Sequence, residues 1–197
     1  MDGLLFIWIS WIFIIIYAFF SSSSSRSSFI CHLLIVIFLS QYAVPFGELD
    51  INITIFYMMT ITCYYMAKAT FMRQIYIIFA AFIMALCRAS YELLFSLEPL
   101  WFLWVPSWCI FIIFTYLAVI LIKPNQERMM CLIMGMVISD VLIFIVHQQS
   151  ALLYSMFSLN WLDQVAIVLC MLFVWKKVEE LGKYFSEPNK YSHKKEV

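Results

Sequence analysis

The stretch "FIMALCRASYELLF", Phe82 to Phe95, decides how this chain is read. Arg88 and Glu92 sit four residues apart in a run that is otherwise apolar on every face. A surface helix keeps its charges on a water-facing stripe, whereas a helix that is apolar all round is buried in a large core or in a membrane. Composition chooses between the two. With 65% hydrophobic and only 12% charged residues among 197, there is too little polar surface to cover a soluble globule. The chain is read as an integral membrane protein.

Working outward from that run, a bilayer core about 30 Å thick takes about 20 apolar residues per helix. The chain holds several such runs, separated by charges, prolines and serines. They are apolar on both parities, which argues against the alternating strands of a membrane barrel. The expected fold is therefore all-α, a transmembrane helix bundle over residues 1–175. Its spans lie near 4–20, 29–44, 53–67, 75–95, 100–122, 129–147 and 161–175, with a charged tail from Lys176 to Val197. The start, Met1-Asp2-Gly3, lacks a basic leader region, so the first run is read as a retained span and not a signal peptide. "SSSSSRSS", residues 21–28, reads as a flexible linker.

Charge supplies a direction. Eleven of the twelve basic residues fall on alternate connections or in the tail: Arg26, Lys68, Arg73, Lys123, Arg128, Lys176, Lys177, Lys183, Lys190, Lys194 and Lys195. The other connections carry only acids: Asp2, Glu48, Asp50, Glu98 and Asp163. Cytoplasmic loops are enriched in Lys and Arg, so the N-terminus is expected outside and the tail in the cytoplasm. An odd number of spans follows. Trp101, Trp104 and Trp108, with Trp8, Trp11 and Trp161, then fall in the outer half, where a belt of aromatic rings at headgroup level is the plain reading.

Short matches keep their order along the chain. "SWIF" (Ser10 to Phe13) answers "SWCIF" (Ser107 to Phe111), "LSQ" (Leu39 to Gln41) answers "ISD" (Ile138 to Asp140), and "LDIN" (Leu49 to Asn52) answers "LDQV" (Leu162 to Val165). They suggest a 3+1+3 plan of two parallel three-helix repeats, a way of placing a site between repeats at mid-membrane. Each match is two or three residues in a low-diversity alphabet, where chance also produces them.

Arg88 is the one basic residue away from the inner side. An arginine at the centre of a span costs about 2.5 to 3.5 kcal/mol on insertion scales, so it needs a partner. Glu92 is one turn away on the same face, although Arg before Glu is the weaker order. Asp140, in the sixth span, lies at matching depth by the rise of about 1.5 Å per residue. A cluster of Arg88, Glu92 and Asp140 is expected, with Gln41, Ser90, Tyr91 and Ser139 as supporting hydrogen-bond partners. Gly135 and Ser139 form a small-xxx-small pair on the sixth span, and Ala81, Ala85 and Ala89 do the same on the fourth, a pattern that allows close helix approach. Such a cluster is either a latch between helices or a site for a solute or proton.

Other chemistries find no footing. His32, His147 and His193 are not paired at one depth as haem would need, and no HExxH is present. Only Asp140 is a mid-span aspartate, the last span has no lysine, and four glycines form no phosphate cradle. The six cysteines lie in or beside apolar runs without a CxxC pair and read as small core residues. No cofactor, metal or nucleic acid is expected; the partners are lipid and either another membrane protein or a small solute. An enzyme is the least supported class.

The opening "GLLFIWISWIF" (Gly3 to Phe13), the seven-span layout and the length resemble the YphA-like family, small multi-pass membrane proteins of low-GC Gram-positive bacteria. The resemblance implies a bacterial plasma membrane and brings no reaction, cofactor or site residue with it. Two readings of function follow: a non-catalytic membrane partner or assembly protein, or a small-solute or proton-linked transporter using Arg88, Glu92 and Asp140.

Overall fold

The computed structural model describes residues 3–20, 26–46, 49–98, 100, 108–149 and 156–186. Within them the chain forms α1 (Leu4–Phe20), α2 (Arg26–Leu39), β1 (Ala43–Phe46), β2 (Leu49–Asn52), α3 (Thr54–Met66), α4 (Phe71–Leu97), α5 (Cys109–Leu121), α6 (Asn125–Gln149) and α7 (Leu159–Ser186). The fold is helical, and each helix grows from one of the apolar runs. Helices α4 and α6 are each long and apolar enough to cross a membrane, while α1, α2 and α5 are shorter apolar helices.

The α4–α6 pair is the most extensive contact between elements. Its cause is side-chain size. The buried stripe of α4 is Ile77, Ala80, Ala81, Met84, Ala85, Arg88 and Ala89, mostly small residues at helical spacing. Opposite them, a Cβ placed on Gly135 would lie 3.3 Å from the Ala81 carbonyl oxygen and 3.3 Å from Met84 Cβ. Glycine therefore lets the two backbones approach. Helix α5 adds Phe114 and Ala118 to this core, and α7 adds Leu162, Val168 and Leu172.

The outward faces carry the large apolar side chains: Phe19 and Phe20 are 80% and 84% exposed, and Phe71, Phe79 and Trp8 also point outward. Small residues thus line the α4–α6 contact, and bulky apolar ones cover the outside. This is the arrangement in which helices associate by close packing and lipid covers the rest.

Four local expectations change. Residues 43–46 and 49–52 are not plain helix and loop but two antiparallel strands, pairing Ala43 with Asn52, Val44 with Ile51, Pro45 with Asp50 and Phe46 with Leu49. Arg26, Ser27 and Ser28 are not linker; they open α2. There Arg26 Nη1 donates to the Ala18 carbonyl at 3.1 Å, one of the carbonyls that the end of α1 leaves unpaired. Trp161 is no belt residue: it is buried, its ring edge-on to Phe157 at 5.4 Å and its Nε1–H directed to the Met136 carbonyl at 3.4 Å. Asp163 is not in a connection but inside α7, which runs on past residue 175 to Ser186. Trp101, Trp104, Ser21 to Ser25 and the tail beyond Ser186 lie outside the described residues.

Candidate functional site

Arg88 lies on the buried stripe of α4, where Ala85 and Ala89 keep the neighbouring helices close. A long side chain there must end among residues of α6 and α7. Its Nη1 donates to Ser139 Oγ at 2.6 Å and lies 3.6 Å from Asp140 Oδ1. Its Nη2 donates to Gln164 Oε1 at 2.6 Å. One guanidinium thus joins three helices. Arg88 is 4% exposed and Asp140 is 0% exposed, so the charges are enclosed by protein.

Each partner is itself held. The Ser139 hydroxyl donates to the Met136 carbonyl at 2.8 Å, which leaves its oxygen to accept from Arg88. Asp140 divides its two oxygens: Oδ1 faces Arg88, while Oδ2 accepts the Phe157 backbone N–H at 2.8 Å. Phe157 has φ of 52°, in the left-handed region that a bulky side chain avoids. Such a residue persists only where its surroundings over-determine it. Here the Asp140 carboxylate and the edge-on Trp161 ring supply that restraint.

The remaining expected residues stand elsewhere. Glu92 is half-buried and, among the described residues, makes no ion pair with Arg88, whose terminal nitrogens turn to α6 and α7. Ser90 is exposed, and Tyr91 is half-buried with its ring stacked on Phe95 at 6.4 Å. Gln41 is exposed in the turn after α2. In their place the structure brings in Gln164, whose signal was a lone amide inside an apolar run.

Asp163, next to Gln164, forms a second buried polar contact. Its Oδ2 accepts the Gly3 N–H at 2.8 Å and its Oδ1 accepts the Phe6 N–H at 2.7 Å. A carboxylate from the far end of the chain thereby caps the first turn of α1, where orphan N–H groups and the helix dipole favour negative charge. Gly3 has φ of +90°, and a Cβ there would lie 3.2 Å from Leu159 Cβ. Only glycine suits that approach.

A family model described as YphA-like integral membrane protein matches residues 2–197. The chain belongs to that family. No curated protein and no solved structure matches it. Membership in the YphA-like family places the chain in a membrane, and the exposed apolar faces are accordingly its lipid-facing surface. In this YphA-like protein, the described residues contain no group of three His, Cys, Asp or Glu side chains that could hold a metal ion. His32 Nδ1 lies 2.6 Å from Tyr57 Oη, and His147 Nδ1 lies 3.0 Å from the Ile143 carbonyl. The YphA-like cluster of Arg88, Ser139, Asp140 and Gln164 can bind helices to one another with charge-assisted hydrogen bonds, which are about twice as strong as neutral ones.

Proposed function

We propose that the chain is a non-catalytic, seven-span plasma-membrane protein of bacterial type that works through a partner protein, with the Arg88 cluster as the lock on its central helices. One observation carries this reading: both terminal nitrogens of Arg88 already end on protein oxygens in an enclosed site. A substrate anchor needs donors that a solute can reach. A lock needs them satisfied within the protein, because an unsatisfied buried charge is far more costly than a paired one.

The direction rests on charge. Basic residues on alternate connections favour an outer N-terminus and a cytoplasmic tail. The tail's six lysines and the outer aromatic face are the surfaces offered to a partner. For the 3+1+3 plan the matches divide: Ser40 and Ser139 each donate to the carbonyl three residues back, Ile37 at 2.7 Å and Met136 at 2.8 Å, whereas Leu49–Asn52 is strand β2 and its counterpart, residues 162–165, lies in α7.

A small-solute or proton-linked transporter is the second reading, and the strained Phe157 held by Asp140 favours it, since such strain collects where segments switch. Crosslinking in native membranes followed by purification separates the two. The first reading expects a stoichiometric partner. Absence of any partner, together with ligand-induced thermal stabilisation that Arg88→Gln and Asp140→Asn abolish, would move the assignment to transport. A fluorescent protein fused after Val197 should fluoresce in the cytoplasm; a dark, exported fusion would sink the orientation.

A further inference from the structure

Between α5 and α7 runs a cavity of about 360 Å³, open along one side. Its walls include Ile112 and Val119 from α5 and Cys170, Val174, Trp175 and Val178 from α7. Thr115 also lines it, but its hydroxyl is used by the Phe111 carbonyl at 2.8 Å. Tyr116 lines it too, and the wall surface is almost wholly apolar. From residue 170 to residue 178 the helix rises about 12 Å, close to the depth of one leaflet of a hydrocarbon core about 30 Å thick. A partner helix would need a surface running the full thickness. A single acyl chain needs only one leaflet.

Apolarity alone gives no selectivity in a bilayer, since lipid tails are as apolar as the wall. Charge at one end of the groove does. Lys123 stands four residues beyond Val119, is exposed, and has no acid within ion-pair distance among the described residues. Trp175 is followed at once by Lys176 and Lys177. The nearby acids are already engaged: Glu127 accepts from Arg73 Nε at 2.8 Å, Glu179 accepts from Arg128 Nη1 at 3.0 Å and from Trp175 Nε1 at 2.8 Å, and Glu180 accepts from Lys177 at 2.7 Å and lies 3.8 Å from Lys176. Lys123, Arg73, Arg128, Lys176 and Lys177 thus outnumber Glu127, Glu179 and Glu180 at this end, and Lys123 is the cation outside those pairs. The pinned Trp175 indole marks the level where apolar wall gives way to polar surface.

We infer that this groove is a binding site for one anionic phospholipid, its acyl chain against α5 and α7 and its headgroup phosphate at Lys123. Filling the groove restores the packing contacts that an open gap forfeits, and the net positive end selects the headgroup. The site is separate from the Arg88 cluster and holds whether that cluster is a lock or a solute site.

The test is native mass spectrometry of the full chain in mild detergent, supplied with phosphatidylglycerol or with phosphatidylcholine of the same chains. The wild type should retain one phosphatidylglycerol in preference to phosphatidylcholine. Val174→Phe, which fills the groove from its exposed side, should lose the retained lipid; Val119→Phe is the second groove variant should the first not fold. Lys123→Gln should keep a lipid but lower the preference for phosphatidylglycerol by about fivefold. Equal retention of the two lipids by the wild type, or undiminished phosphatidylglycerol on a folded groove-filled variant, overturns the inference.

Discussion

Arg88 and Asp140 are opposite charges buried side by side, yet they are not each other's closest partners: Nη1 is 3.6 Å from Asp140 Oδ1 but 2.6 Å from the neutral Ser139 Oγ. The aspartate balances the charge, and the neutral groups supply the short hydrogen bonds. Removing one member of a buried pair strands the other, at about 3 to 5 kcal/mol. Arg88→Gln should therefore lower the thermal midpoint in detergent strongly, and Arg88→Gln with Asp140→Asn should recover much of the loss. A double-mutant cycle measures the coupling; purely additive losses would mean that the two charges do not act as a pair.

The α4–α6 contact depends on Gly135. An added methyl meets the Ala81 carbonyl and Met84 at 3.3 Å, so Gly135→Ala should cost about 1 kcal/mol and Gly135→Leu more, through forced separation of the helices. Unfolding of the purified protein by heat or by steric trapping reads the order. Indifference to Gly135→Leu would contradict the packing.

Asp163 should hold α1 in place. Asp163→Ala removes the acceptor for the Gly3 and Phe6 N–H groups, and loss of such a cap costs about 1 kcal/mol. Because the cap lies at one end of α1, the effect should be local: faster hydrogen exchange in Leu4 to Ser10, with α4 and α6 unchanged. Exchange that rises everywhere would show that the cap supports the whole bundle.

The exposed helical end of α7 should respond to acid. The Lys177 hydrogen bond holds the Glu180 carboxyl below its ordinary range, helped by the nearby charges of Lys177, Lys176 and Lys183. A carboxyl whose folded value is depressed stabilises the folded form fully at neutral pH and loses that contribution as pH falls through the folded value. Protection of residues 177–182, taken as the exchange rate relative to the intrinsic rate at each pH, should fall only in acid. Lys177→Gln should move that onset to higher pH; an unmoved onset would assign it to another group.

Helix rise alone puts Arg88 and Asp140 at one depth, which is why their relation is readable without coordinates. Rotation about the helix axis is not readable in that way. Glu92 and Arg88 share a face on paper, but close packing of α4 on α6 turns the guanidinium toward Ser139 and Gln164. Asp163 reads as a connection acid and Gln164 as a residue without a role because their segment looks like the entry to a span, whereas α7 already begins at Leu159. The strand pair was present as signal: Ala43 to Phe46 and Leu49 to Asn52 flank two residues, the spacing of a tight β-turn. The apolar run hid it.

Helices α2 and α3, at 14 and 13 residues, rise only about 20 Å each, against about 40 Å for the 27 residues of α4. Crossing the bilayer as proposed, one flank of the protein is shorter than the lipid around it. Lipid there must compress, or the polar ends must draw inward, at a fraction of a kcal/mol per Å of mismatch. A second protein with equally short helices relieves that deformation by sitting alongside. The bilayer itself would then help choose where a companion docks, before any side chain of the two has met.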